Sequence, residues 1–319
     1  MGDYQCTIKK SVSVEGTGLH TGQHGTITFH PAHAGHGVKF RRVDQKDQPI
    51  IPAIIDFVVD TSRGTTIGIN GTKVYTIEHV MASLTGLGID NVLIDVDVDE
   101  MPIRDGSAKY FVEALETVGL EVQDQLREYI QIDREIVLKN DEKGFEMRIV
   151  PSEEYVIDVT IDYNTEVLNV QHASLKHLRD FKNEIAPCRT FVFLHELEFL
   201  LKNNLIKGGD LSNAIVFVNR TVTQDELDRL ATLFNKPKVK VKEGILNNLE
   251  LHFPNEPARH KLLDVVGDLS LLGKRIKGHV IAFKPGHYAN TEFARLIQKH
   301  SLTSTRTSTH TSIHTQISS

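Results

Sequence analysis

Two short stretches, far apart in the chain, carry residue types that can hold and use a metal ion. They are Glu78-His79 and His260-Lys261-Leu262-Leu263-Asp264-Val265-Val266-Gly267-Asp268. His260 and Asp264 stand at i and i+4, so in a helix their side chains lie one above the other on one face. An imidazole and a carboxylate so placed can share one cation, and His79 is the natural third ligand. Two histidines and one aspartate leave a coordination position open for water. That is the pattern of a catalytic zinc rather than of a structural zinc closed by four protein ligands. Water on a metal with a carboxylate beside it is the working part of a hydrolase.

The same spacing also suits a hydrogen-bonded pair on a helix surface, and Glu78-His79 alone suits a polar helix start with the glutamate stabilised by the dipole. Asp268 extends the stripe by one more turn. Lys284-Pro285-Gly286-His287 follows the next expected strand, at a loop where a histidine oriented by a carboxylate could act as general acid; an ordinary loop histidine is the alternative. Most of the 16 histidines must do something else. His310 and His314 share the i, i+4 spacing but sit in Ser/Thr low complexity. His24, His30, His33 and His36 crowd a Gly/Pro-containing stretch and suit exposed loop positions as well as a weak metal patch. His20 lies in the Gly-rich turn Glu15–Gly22, where backbone could approach a ligand.

The elements that must position these residues read as two similar halves. In the first, Cys6–Val14 alternates like a strand, Thr26–His30 is a strand ending at Pro31, and Pro-bounded strands lie near Ile50–Val59. A helix capped by Thr76 follows, with Ile77, Val80, Met81, Leu84 and Leu87 at helical spacing and a stop at Gly86-Leu87-Gly88. Asn91–Val98 alternates as a half-buried strand. Ser107 can cap a helix over Ala108–Val118. In the second half, Ile130–Leu138, Phe145–Val150 and Tyr155–Tyr163 read as strands, Arg259–Leu272 as a helix ending at Gly273, and His279–Phe283 as a strand. Helix, glycine stop and strand thus follow both His79 and His260, a faint internal repeat. Thr190–Phe217 interrupts the scheme with an apolar helix candidate, Phe193–Leu205, then Gly208-Gly209 and a strand at Ala214–Val218. From Ser301, twelve of nineteen residues are Ser or Thr, a composition that predicts disorder.

Bulk properties narrow the class. The 319 residues fit about two domains. A net charge of −6 argues against nucleic acid as a partner. Cys6 and Cys188 are too few for a disulfide framework or a Cys-based zinc site and suit a reducing compartment. No signal-peptide core and no apolar run of about 18 residues is present, so the expectation is a cytoplasmic protein without an integral membrane segment.

With these motifs in hand, the chain resembles the LpxC family, the zinc-dependent UDP-3-O-acyl-N-acetylglucosamine deacetylases of lipid A biosynthesis. The resemblance is carried, in family order over roughly residues 5–298, by Glu15–Gly22 (EGTGLHTG), Thr76–Ala82 (TIEHVMA), Asp90-Asn91, Pro102–Ala108 (PIRDGSA), Arg189-Thr190-Phe191, Gly208–Ile215 (GGDLSNAI), His260–Asp268 (HKLLDVVGD) and Lys284–His287 (KPGH). It implies an α+β fold of two similar βααβ-type sandwich domains with the active site between them. The expected bounds are 1–126 and 127–300, with an insert near 190–217 forming an apolar passage for an acyl chain and 301–319 as a disordered tail.

By the same resemblance His79, His260 and Asp264 hold Zn2+, and Glu78 is the general base. His287 is the charged histidine, Asp268 its carboxylate partner, and Thr190 the hydroxyl that steadies the oxyanion. Phe191 and Lys261 contact substrate, and Lys284 lies toward the nucleotide diphosphate. The implied reaction is hydrolysis of the N-acetyl group of UDP-3-O-[(3R)-3-hydroxyacyl]-N-acetylglucosamine, releasing acetate. A zinc amidase for another acylated sugar and a catalytically silent lipid-sugar binding protein are the alternatives. A His/His/Asp site could also hold Fe(II), and the oligomeric state stays open. Arg63-Gly64-Thr65 stands where some members carry a cysteine, Pro285 varies the loop before His287, and no match to the dehydratase domain fused to some members is present.

Overall fold

Alternating apolar residues build the first half as a sheet whose inner face is apolar, with Phe29 and Phe40 among its aliphatic residues. The computed structural model describes residues 2–203, 205, 207–234, 239–246 and 249–314, with backbone alone for Leu201 and 303–314. The chain opens with β1 (Tyr4–Ile8), β2 (Val12–Thr17), β3 (His24–Pro31), β4 (Val38–Arg42) and β5 (Ile50–Pro52). Three short strands follow, β6 (Val58–Asp60), β7 (Thr66–Ile69) and β8 (Thr72–Val74), paired as one small sheet. Then come α1 (Glu78–Leu87), β9 (Val92–Val96), α2 (Lys109–Val118) and β10 (Leu120–Leu126), which returns to pair with β1.

The second half repeats this order. It runs β11 (Tyr129–Gln131), β12 (Ile136–Asn140), β13 (Phe145–Val150), β14 (Tyr155–Ile161) and β15 (Gln171–Leu175), then the short helix α3 (Phe181–Glu184). An insert contributes β16 (Phe191–Phe193), α4 (Leu194–Lys202), β17 (Ile215–Phe217), α5 (Gln224–Leu233), β18 (Val241–Lys242) and β19 (Ile245–Leu246). The half closes with α6 (Glu256–Leu269), β20 (Arg275–Phe283) and α7 (His287–His314).

The faint repeat in sequence is a strict repeat in topology. The first sheet is ordered β2-β3-β9-β4-β5 and the second β12-β13-β20-β14-β15, with β11 added beside β20. In each, two outer hairpins flank a late central strand that runs antiparallel to one neighbour and parallel to the other. The resulting α+β fold places helices from both halves in contact. α1 packs on α6, α2 on α1 and β2, and α6 and α7 on strands of the second sheet. One hydrophobic core runs through both halves, from Phe29 and Phe40 to Phe293 and Ile297. α1 is buried on every face from Glu78 to Gly86, as a helix held between layers must be. The insert has a second, smaller core of Leu194, Leu197, Leu211, Val216, Leu227 and Leu246 among others.

Several expectations are corrected. Cys6–Val14 and Ile130–Leu138 are each two strands separated by a break, because neighbouring segments pair with different partners. Thr76 does not cap α1: it has φ +59°, and its hydroxyl donates to Glu100. The N-cap Ile77 instead gives its N–H to the Thr65 carbonyl. Phe193 ends a strand rather than opening a helix, and the insert's own sheet and core extend to Leu246 instead of ending at 217. α7 runs on into the Ser/Thr-rich segment as far as His314. A helix already nucleated by its docked first turns extends without a second nucleation cost. The remaining residues of the expected tail, 315–319, lie outside those described. Gly88 and Gly273, both left-handed, stop the two helical segments as their sequence context predicts.

Candidate active site

α1 and α6 cross where both carry chemistry. A Cβ on Gly267 would stand 2.2 Å from the Glu78 carbonyl oxygen, so this glycine lets α6 lie against the first turn of α1. The crossing brings His79 to His260, ring centroids 5.1 Å apart and nearly perpendicular. One ligand atom each from His79, His260 and Asp264 lies within 4.8 Å of the others, all three residues buried. They are the one such group of three among the described residues.

The donor set fits a cation. The Nδ1 of His260 lies 3.0 Å from the Cys188 carbonyl, which can only accept a hydrogen bond, so Nδ1 carries the proton and Nε2 is left free toward Asp264, 3.6 Å away. Asp264 Oδ1 is buried with no hydrogen-bond partner. A buried carboxylate oxygen left bare is costly unless something charged sits there. Burial lowers the pKa of His79 to about 3, helped by the nearby His260, and lowers that of His260 as well. Burial opposes the Asp264 charge, yet Lys261, bonded to Oδ2 at 2.8 Å, and the histidines hold it below the usual carboxylate range. Neutral imidazoles and an ionised carboxylate are the forms a metal binds.

The acid–base residues line the same cavity, with His287 Nε2 4.0 Å from Asp264 Oδ2. Burial raises the Glu78 pKa to about 7, with Asp268 and Asp264 adding to it and His287 opposing. Its Oε2 accepts the Thr65 N–H at 2.9 Å, and Oε1 stands 3.8 Å from His287 Nε2. His287 is the first residue of α7 rather than a loop residue. Burial disfavours its charge, but Asp268, Glu78 and Asp264 outweigh burial and raise its pKa to about 10. Its Nδ1 lies 3.0 Å from Asp268 Oδ2. Asp268 also accepts from the Asn290 amide at 2.8 Å and the Thr65 hydroxyl at 2.5 Å.

A cavity of about 50 Å³, room for an ion and a few waters, is lined by Glu78, His79, Thr190, His260, Lys261, Asp264 and His287, with Leu19, Arg63, Thr76 and Ile103. Thr190 is seated by its N–H on the Gly106 carbonyl and by its own carbonyl on Ile215 N–H. Phe191 lies beyond, edge-on to Tyr163 and Phe217, with Lys261 Nζ 5.7 Å from its ring centre. Nine of the ten expected site residues therefore fall in or against one site. Lys284 stands apart, at φ +53° after β20, paired with Asp162 at 3.1 Å. Thr65, Asn290 and Glu100 were not anticipated. Glu100 is buried and accepts from His20, Thr21 and Thr76, pinning the Gly-rich turn beside the cavity. The turn glycines signalled a close approach in the sequence, but nothing local signalled the partner.

No helix among the described residues is long and apolar enough to cross a membrane. The family model described as LpxC, UDP-3-O-acyl N-acetylglycosamine deacetylase, matches residues 5–239 and 229–299. Over 296 residues the chain is 46% identical to a bifunctional enzyme LpxC/FabZ of Bacteroides thetaiotaomicron, covering 92% of this chain and 64% of that protein. A protein of the same name from Porphyromonas gingivalis is 47% identical over the same coverage. A UDP-3-O-acyl-N-acetylglucosamine deacetylase of Syntrophotalea carbinolica is 40% identical over 295 residues, 92% of this chain and 87% of that one. The chain thus spans under two thirds of the length of the bifunctional relatives and most of the length of the single-activity one. Matched from residue 5 to residue 299, with the Gly-rich turn and His287 inside the match, the chain belongs to the LpxC family, the UDP-3-O-acyl N-acetylglycosamine deacetylases.

Proposed function

We propose that this chain is a zinc-dependent amide hydrolase that removes the N-acetyl group of UDP-3-O-[(3R)-3-hydroxyacyl]-N-acetylglucosamine in lipid A biosynthesis. The observation that carries the reading is the bare, buried Asp264 Oδ1 beside two neutral imidazoles, with Glu78 and a cationic His287 lining the same cavity. Zinc held by His79, His260 and Asp264 supplies Lewis acidity for water activation and carbonyl polarisation. Glu78 takes the proton of the attacking water at Oε1, the oxygen not engaged by Thr65. The Thr190 hydroxyl, at the cavity wall, steadies the oxyanion; one such donor is worth about 2.7–4 kcal/mol where measured. His287, kept protonated by Asp268, delivers a proton from Nε2 to the departing amine.

Lys261 lines the cavity, Phe191 lies next to it at the start of the insert, and both would contact the substrate, with the insert as the apolar passage for its acyl chain. Lys284, paired with Asp162, has further N–H donors with which it would meet a diphosphate. A UDP-linked substrate places the reaction in the cytoplasm. The two domains are taken to divide at 126/127, between β10 and β11. Acetate release from the UDP-linked substrate, measured alongside zinc content, tests the proposal. One zinc per chain with turnover supports it. Zinc without turnover would leave a binding protein, and release from other acylated sugars only would point to a different amidase.

A further inference from the structure

Thr65 is fully buried, lies on the loop between β6 and β7, and touches both halves of the acid–base pair. Its carbonyl accepts from Ile77 N–H at 3.1 Å and its N–H donates to Glu78 Oε2 at 2.9 Å, so its backbone is clamped to the start of α1. Its hydroxyl reaches the other helix, donating to Asp268 Oδ1, 203 residues away in sequence. We propose that Thr65 is a positioning residue that holds the base Glu78 and the carboxylate behind His287 in one register. The inference rests on the reading of Glu78 and His287 as the acid–base pair.

The geometry gives each contact a task. An ionised carboxylate has only acceptors, so the Thr65 hydroxyl must donate to Asp268. A donor on each oxygen fixes the plane of that carboxylate: Thr65 on Oδ1, Asn290 and His287 on Oδ2. The hydroxyl's lone pairs are then left for His287 Nδ1, 3.3 Å away. Nδ1 of His287 thus faces two acceptors and must carry a proton, which directs Nε2 at Glu78 and Asp264. On the other side, the Thr65 N–H occupies one Glu78 oxygen and leaves the second for water. A β-branched side chain, stiff about χ1, suits a hydroxyl that must point one way. Serine keeps the hydroxyl, and valine keeps the shape without it.

The test compares Thr65→Val and Thr65→Ser in the zinc-loaded protein, using acetate release and long-range 1H–15N spectra of the His287 ring. Partners that orient an active group typically contribute about 10–100-fold. Thr65→Val is expected to lose kcat by about that factor at nearly unchanged KM and zinc content, with Thr65→Ser recovering most of the loss. The His287 Nδ1–H signal should move and exchange faster with water in Thr65→Val but not in Thr65→Ser. Thr65→Val introduced into an Asp268→Asn background, where the buried charge is gone, should cost under about threefold more, since both changes cut the same link. A Thr65→Val protein with wild-type kcat and an unmoved His287 signal overturns the proposal, and so does full additivity with Asp268→Asn. A wild-type protein that releases no acetate overturns the proposed function instead, and the ring spectra still decide the role of Thr65.

Discussion

The two halves share one chain path and differ in where they put their chemistry. In the first, α1 offers its opening turn, with Glu78 and His79 at the first two helical positions. In the second, α6 offers its length from the second turn to its end, with His260, Asp264 and Asp268 along one buried stripe. The junction after the central strand differs as well. After β20 it delivers His287 at the start of α7, whereas after β9 it delivers Gly106, whose carbonyl seats Thr190. A repeated scaffold therefore does not mean repeated function. One half carries the base and one metal ligand, the other two ligands and the acid, and the crossing of α1 over Gly267 joins them.

If the halves share one metal, removing a ligand from either should be equally damaging. His79→Ala, His260→Ala and Asp264→Ala should each lose most zinc after dialysis, with rate losses at least as large as the about 10²–10⁴-fold typical of acid–base groups. Full occupancy in His79→Ala alone, by elemental analysis, would confine the metal to the second half. Next come the acid–base residues. Glu78→Gln and His287→Ala should retain zinc and lose about 10²–10⁴-fold in kcat with modest change in KM.

The two halves should also separate in pH. Glu78 must be deprotonated, so activity rises as pH passes its pKa, about 7 without metal and lower beside a dication. His287 must be protonated, so activity falls as pH passes its pKa of about 10. His287→Ala should therefore flatten the alkaline limb and leave the acid limb in place; an unchanged alkaline limb would remove His287 from its role. The crossing itself is tested by Gly267→Ala, which must push α6 away from the Glu78 carbonyl. Overpacking of this kind costs about 1–3 kcal/mol, visible as a lower denaturant midpoint, and should lower activity with it. The smallest effect is expected at the chain end. Truncation after Leu302, itself 64% exposed, should leave folding and rate nearly unchanged, and a loss of either would make the Ser/Thr-rich helix structural.

Much of this was legible where the signal is local. Phe145–Val150 has in structure the bounds its alternation predicts, and the glycine stops at Gly88 and Gly273 follow from helix chemistry. His260, Asp264 and Asp268 were legible because i, i+4 spacing on a helix already fixes a shared face, and His79 as the distant histidine beside a glutamate. His287 was legible as chemistry but not as the opening of a helix, because Pro285 and Gly286 obscure its start. The contacts of Thr65, Asn290 and Glu100 were not legible, although Arg63-Gly64-Thr65 stood out as the stretch where some family members carry a cysteine. Each acts through contacts made across the chain, and a buried threonine or asparagine has no periodicity to betray its partner. The insert was located by its apolar residues, yet its extent was short by some thirty residues because its outer strands are only two residues long.

A metal shared by the two halves is tested most directly by zinc K-edge X-ray absorption on the zinc-loaded protein, which reads the ligands themselves. One zinc per chain with two imidazoles and oxygen donors is expected, falling to a single imidazole in whatever zinc His79→Ala retains. Sulfur in the shell, or two imidazoles persisting in His79→Ala, would contradict the shared site.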